Sequence, residues 1–300
     1  MTDTYRLGID LGGTKIESIL LDPRGNAMHR ERVSTPRGGD DEYEGIRNAV
    51  FQLILKTLDL APATAACTIG VGIPGMVHPE THRVSNANTT SLIGKPLKAD
   101  LEKLLGRPVV LENDANCFTL SEAVGGAAKE YDFVFGMILG TGCGGGICHN
   151  RKIIKGRHRI AGEWGHFPVD PLGVNCWCGN TGCIETKLSG TGVANAYERL
   201  FHEKITLEEI VRRYRAGDAK STAIFEQFLE DFGRCVGGLI STMDPDAIVI
   251  GGGVSNIDEL FTLGVERVEK YAFHDHITTP ILKNQLGDSS GVYGAAWIGV

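Results

Sequence analysis

Four residues in one short stretch carry the clearest chemistry in this chain. Between His166 and Cys183 the sequence reads His166-Phe-Pro-Val-Asp-Pro-Leu-Gly-Val-Asn-Cys176-Trp-Cys178-Gly-Asn-Thr-Gly-Cys183. One imidazole and three thiols form the donor set of a closed tetrahedral zinc site. The Gly-Asn-Thr-Gly insert lets the backbone turn, so that Cys183 can return toward Cys176 and Cys178. A carboxylate flanks each end. Glu163 precedes His166 by one helical turn, and Glu185 follows Cys183 by two residues. A metal knot of this kind would hold polar groups still. The plainer alternative is a structural knuckle with two solvated glutamates.

Three Gly-rich turns, at 12–13, 140–146 and 251–253, follow strand-like runs. Backbone N–H groups without intervening side chains can converge there on an anion. Asp10 stands before the first turn and Thr14-Lys15 after it. An acid so placed can hold Mg²⁺ through water, and the other two add phosphate donors. None of the three is a Walker A loop. Gly140-x-Gly142-x-x-Gly145 matches the dinucleotide fingerprint in letters, but a β-like run follows where a helix is required. Any one turn alone reads as a tight hairpin. Three in one chain point to a nucleotide cradle.

Asp114, in Leu111-Glu112-Asn113-Asp114-Ala115-Asn116, sits where a strand meets the start of a helix. Aspartate in that place is commonly an N-cap. Here Asn113 and Asn116 crowd it at the C-terminal end of a strand, where α/β sheets bind ligands. A carboxylate there can accept a sugar hydroxyl's proton during phosphoryl transfer.

Alternating elements must position these groups. The patterns predict strands at 5–11, 15–21, 28–34, 68–73 and 109–111, with helices at 41–58, 97–105 and 115–124. The order then restarts, with strands at 133–139, 145–149 and 152–154. Each restart joins its first two strands through a Gly/Thr turn. This is a duplication of topology and predicts two α/β lobes. Helices are predicted at 221–243, 258–271 and 290–298, with another opened by the capping box Thr206-Leu-Glu-Glu209. A buried strand is predicted at 247–250.

Composition narrows the classes. Three hundred residues suffice for one large or two medium domains. A net charge of −7 argues against a nucleic-acid surface. No apolar run reaches the length of a membrane span. The start Met1-Thr2-Asp3-Thr4-Tyr5 shows neither a basic region nor an apolar core, so no signal peptide and a cytoplasmic location are expected. In that compartment the clustered thiols among eight cysteines read as metal ligands, and the rest as reduced thiols.

With these motifs the chain resembles the sugar kinases of the ROK family (repressor, open reading frame, kinase), in the actin-like ATPase superfamily. The motifs are Asp10-Leu-Gly-Gly-Thr-Lys15, Gly72-Ile-Pro-Gly75, Glu112-Asn-Asp-Ala-Asn116, Leu139-Gly-Thr-Gly142, Gly162-Glu-Trp-Gly-His166, the Cys cluster to Glu185, and Gly251-Gly-Gly253. They span essentially the whole chain. The resemblance implies an α/β fold of two RNase-H-like lobes with an active-site cleft between them. The division is expected as 1–115 with the C-terminal helix 289–300, and 116–288 with a zinc loop at 163–185. ATP, Mg²⁺, a structural Zn²⁺ and a homodimer are implied as well.

Residue by residue, Asp114 matches the catalytic base. Gly75, Asn88, Asn113, Glu163, His166 and Glu185 match sugar-site positions. His166, Cys176, Cys178 and Cys183 match zinc ligands. Asp10, Gly12, Gly13, Thr14, Lys15, Thr141, Gly142, Gly144, Gly252 and Gly253 fall in the nucleotide motifs. One ring nitrogen of His166 can hold zinc while the other donates to a hydroxyl. The stretch Val84-Ser-Asn86-Ala-Asn88-Thr-Thr90, Trp164 and the C-terminal run to Trp297 are most similar to the fructokinase/mannokinase branch. Phosphorylation of fructose or mannose at the 6-hydroxyl is therefore expected, with N-acetylglucosamine or glucose as alternatives. The rival of another class is a sugar-responsive regulator. A strand beginning by Tyr5 is expected to leave no room for a preceding helix-turn-helix domain, and the acidic charge is wrong for DNA.

Overall fold

The computed structural model describes residues 4–38 and 41–299. Met1 to Asp3, on which part of the signal-peptide expectation rests, and Val300, the end of the expected C-terminal helix, lie outside them. The chain opens with β1 (Thr4–Leu11), β2 (Lys15–Leu21) and β3 (Ala27–Ser34). There follow α1 (Glu42–Leu58), β4 (Ala66–Ile73), β5 (Met76–Val77), β6 (Val84–Ser85), α2 (Leu97–Leu105), β7 (Val110–Asn113) and α3 (Asp114–Gly125). The pattern restarts with β8 (Phe133–Leu139), β9 (Cys143–His149) and β10 (Lys152–Ile153). Next come α4 (Glu185–Leu188), α5 (Gly190–Phe201), α6 (Leu207–Arg215), α7 (Ala219–Met243), β11 (Ala247–Gly251), α8 (Leu263–Tyr271), β12 (Ile281–Lys283) and α9 (Ser290–Ile298). No helix among the described residues is long and apolar enough to cross a membrane.

The two large sheets run β3-β2-β1-β4-β7 and β10-β9-β8-β11-β12. In each, a hairpin is antiparallel and the later strands join in parallel: β1 with β4 and β4 with β7, then β8 with β11 and β11 with β12. The duplication expected from the Gly turns is therefore one of strand order and direction. Parallel neighbours require crossover connections, which is why helices separate these strands in sequence.

The chain divides into two compact units. One comprises Met1–Val124, Lys152–Ala161 and Asp288–Val300, and the other Gly125–Arg151 and Gly162–Gly287. The expected boundary after residue 115 is displaced, because α3 packs within the first unit. Ser290 Oγ donates to Glu122 Oε1 at 2.9 Å. Gly294 of α9 lies so close to the Cys117 carbonyl that an added Cβ would collide with it. Segment 152–161 joins the same unit through Lys155, whose Nζ lies 2.6 Å from Glu112 Oε2. Gly8 and Gly70 let α9 approach β1 and β4, since a Cβ there would meet the Val292 and Ala295 carbonyls.

Each unit has its own core. In the first, Leu7, Ile9, Ile69 and Val71 of the sheet pack with Ile46, Val50 and Ile54 of α1. Asp41 caps α1 by accepting from Glu44 N at 3.0 Å. Thr57 is also buried, its Oγ1 donating to Leu53 O at 2.7 Å, and Leu58 packs partly buried against the same core. In the second, Phe225, Phe228, Phe232 and Val236 line the inward face of α7, as the spacing predicts. The helix expected over 258–271 is broken. A 3₁₀ turn, Asp258–Phe261, precedes α8, and Thr262 leaves the helical region with φ −125° and ψ −86°. Leu260 of the 3₁₀ turn and Val268 of α8 both lie in the core.

Candidate active site

In the second unit the loop leading into α4 folds back on itself through two isolated bridges, Pro168 with Cys183 and Asn175 with Thr181. Gly179 and Gly182 have φ of 96° and 68°, values that favour glycine. A Cβ on Gly182 would also strike the Asp170 carbonyl. This turn returns Cys183 to its partners. The ligand atoms of His166, Cys176, Cys178 and Cys183 all lie within 4.8 Å of one another. Zn–S bonds of about 2.3 Å and Zn–N bonds of about 2.0–2.1 Å give tetrahedral S–S and S–N edges of about 3.8 and 3.6 Å. Cys178 Sγ to Cys183 Sγ is 3.6 Å, and Cys176 Sγ to His166 Nδ1 is 3.7 Å. The set fits a tetrahedral thiolate-imidazole metal. Nδ1 is the ring nitrogen turned toward the thiols. Without a cation's charge, burial pushes the Cys183 thiol up to about 12.

Glu163 and His166 bracket a single 3₁₀ turn, Trp164–His166, closed by His166 N donating to Glu163 O at 3.2 Å. Although Glu163 is exposed, desolvation raises its carboxyl above the ordinary value, with Glu185 adding and His166 opposing. Glu185 opens α4 and accepts from two sides. Trp177 Nε1 donates to Oε1 at 2.6 Å and Cys143 N to Oε2 at 3.0 Å. The cysteine loop thereby touches the second Gly turn. Further braces on that turn are Gly190 N to Gly140 O at 2.7 Å and Trp164 Nε1 to Gly144 O at 3.0 Å. A Cβ on Gly142 would come within 2.8 Å of Glu185 Oε2, so a side chain there would push that carboxylate aside. Thr141 is exposed at the tip. β9 follows the turn directly, so the segment lacks the helix on which a dinucleotide fingerprint depends. The third turn holds Gly252 at φ 81°, pinned by Ser255 Oγ donating to its carbonyl at 2.7 Å, with Gly253 exposed beside it.

In the first unit, β1 ends at the turn bearing Gly12, Gly13 and Thr14. Gly12 N donates to Lys15 O at 3.0 Å, and Thr35 Oγ1 to Gly12 O at 2.7 Å. Arg37 Nε donates to Gly13 O at 2.8 Å. No spacing rule singled out Arg37, which reaches the turn only because β3 runs beside β2. Asp10 is pushed up from 3.8 to about 6, by burial first and then by Glu17, with Lys15 and Arg32 opposing. Glu17 is itself buried and held by Arg30 at 2.6 Å and Arg32 at 2.7 Å.

This shift has a sign that can be tested. A carboxyl whose folded pKa lies above its unfolded value favours folding most below the lower value, and that contribution is lost as pH rises through the higher one. Ionised Asp10 therefore costs stability above about pH 6. Asp10→Asn is expected to raise the stability of the metal-free protein by about 1–3 kcal/mol at pH 7.5. The gain should vanish near pH 4. Thermal unfolding of both proteins across this range checks it; a gain independent of pH would refute the electrostatic origin.

The cluster at the end of β7 resolves which residue caps α3. Asn113 Oδ1 accepts from Ala115 N at 2.9 Å and Asn116 N at 3.2 Å, so Asn113 takes the capping role. Asp114 Oδ1 receives Asn113 Nδ2 at 3.0 Å and Ala115 N at 2.9 Å. Asn113 Nδ2 also donates to Gly75 O at 3.2 Å. Gly75, at φ 153°, lies where a Cβ would be 2.9 Å from Ala87 Cα. Asn88 follows Ala87 and is exposed. Behind the cluster, Glu112 pairs with Lys155 through one oxygen and accepts from Asn116 Nδ2 at 3.0 Å through the other. Gly75, Asn113 and Asp114 are thus brought together by hydrogen bonds, with Asn88 one residue beyond the contact at Ala87.

The ROK family profile matches residues 6–299. The chain belongs to the ROK family. It is 39% identical to the N-acetyl-D-glucosamine kinase of Escherichia coli O1:K1 / APEC, over 97% of this chain and 98% of that protein. Among solved structures, the ROK hexokinase from Thermus thermophilus superposes with a TM-score of 0.88 at 28% identity, covering 98% of this chain and 97% of that one. A ROK family glucokinase from Streptomyces griseus, solved with glucose and AMPPNP, gives 0.79 at 30% identity, covering 98% and 99%. The protein is an ATP-dependent sugar kinase of this family with its α/β fold.

Proposed function

We propose that this ROK kinase transfers the γ-phosphate of ATP to the 6-hydroxyl of N-acetylglucosamine. The observation that carries the choice of sugar is 39% identity to an N-acetyl-D-glucosamine kinase across 97% of the chain. The expectation of fructose or mannose gains no support from these relatives. Glucose is the second reading, favoured by the glucokinase at 30% identity.

In this reading Asp114 accepts the hydroxyl proton as the phosphoryl group arrives. Asn113, fixed by the α3 backbone, aims Asp114, and Gly75 and Asn88 line the same side of the sugar. Glu163, His166 and Glu185 hold ring hydroxyls, with the His166 ring nitrogen opposite Nδ1 free to face the sugar. Gly12, Gly13, Thr14 and Lys15, with Thr141, Gly142, Gly144, Gly252 and Gly253, receive the nucleotide. Asp10 would hold Mg²⁺, which supplies positive charge to the phosphates. His166, Cys176, Cys178 and Cys183 would hold Zn²⁺, which supplies rigidity. A homodimer is part of the proposal.

The test is competitive. With ATP and Mg²⁺, kcat/KM for N-acetylglucosamine is expected to exceed that for glucose, mannose and fructose by about tenfold or more, or about 1.4 kcal/mol of discrimination. A lead for glucose or fructose would overturn the choice of sugar and leave the kinase assignment standing.

A further inference from the structure

We propose that Trp177 is a positioning residue for the sugar site, fixing Glu185 by a hydrogen bond and His166 by ring contact. The inference rests on the reading above of Glu185 and His166 as sugar-holding groups. Trp177 stands between two of the metal-site cysteines, Cys176 and Cys178. Its Nε1 lies 2.6 Å from Glu185 Oε1, and its ring meets His166 edge-on with centroids 4.9 Å apart and planes at 88°. The indole nitrogen is a donor only, so the bond has one direction. A charged acceptor makes it short and strong. Cys143 N takes the second oxygen of Glu185 at 3.0 Å. With both oxygens engaged, the carboxylate is held in one plane and one rotamer.

The arrangement answers a question that the donor set leaves open. Glu185 is not among the four clustered ligand residues, yet it must be ordered if it is to hold a hydroxyl. The backbone at Trp177 is fixed from both sides by Cys176 and Cys178. The indole then carries that order across to Glu185. Trp177 is about two-thirds exposed, so its place is not that of a core residue. What the side chain supplies inward is its donor and its edge.

Trp177→Phe deletes the donor and keeps an aromatic ring. The expected result is a rise in sugar KM of about tenfold or more, the usual effect of losing a bond to a charged group. Turnover at saturating sugar, KM for ATP and metal content should stay near wild type. In a Glu185→Ala background the same change should add nothing, since the acceptor is already gone. Wild-type sugar KM in Trp177→Phe overturns the inference. So does loss of metal, or an undiminished effect in Glu185→Ala, because either makes Trp177 a structural part of the loop. If the wild-type protein phosphorylates no sugar, the kinase reading falls and this inference with it. If it is active and Trp177→Phe is indistinguishable from it, this inference alone falls.

Discussion

Asp114→Asn is expected to lower turnover by about 10²–10⁴-fold, the usual contribution of a general base. Sugar binding, followed by calorimetry, should persist. The structure sharpens this expectation, because the substitution is close to neutral for the fold. The N-terminus of α3 is satisfied by Asn113 Oδ1, which accepts from Ala115 N and Asn116 N. An amide oxygen at position 114 can still accept from Ala115 N, as Asp114 Oδ1 does at 2.9 Å. What it cannot do is take up a proton. A collapse of kcat with an unchanged thermal midpoint therefore separates chemistry from capping. Near-normal turnover would sink the assignment.

Cys183→Ser is expected to have the second large effect. Cys183 is fully buried, and its thiol is pushed up to about 12 when no cation is near. A bound divalent metal reverses that preference by stabilising the thiolate. Serine removes that ligand, and a three-ligand site should lose its metal on purification. Sugar affinity should fall by about 10–100-fold, the scale seen when the groups around a metal are loosened. ATP affinity should fall less, because the turns at 12–13 and 251–253 do not depend on the loop. Metal analysis of the wild type should find about one equivalent per chain, as for a single tetrahedral site. If chelated wild-type protein bound sugar with undiminished affinity, the organising role of the metal would be wrong.

Several parts of this molecule are legible in the sequence for local reasons. The His166 and Cys cluster is close in sequence, so its spacing alone marks a candidate ligand set, which two glycines at positive φ close in the structure. The Gly turns lie at strand ends, where alternating burial gives way to small residues. The face of α7 repeats every three to four residues over a long helix and can be read without a partner. The expectation of fructose rested on a few polar letters near Asn88 and at the C-terminus. Those letters do not report the shape of a pocket, and similarity over the whole chain weighs against them.

The sequence by itself determined the family and the duplicated order of strands, and it singled out the candidate metal ligands and the candidate base. Each depends on residue type at short range or on a motif whose spacing is fixed by one turn. Tertiary structure alone decided which oxygen caps α3, which brings Arg37 to the Gly12–Gly13 turn, and which partners hold Glu185. It also decided that α3 and segment 152–161 belong with the first unit, through Ser290–Glu122 and Lys155–Glu112 contacts spanning many residues. The physical reason is the same in each case. A carboxylate, a turn carbonyl or a helix's first N–H groups take whichever partner packing brings to them, and chain order does not encode that neighbour.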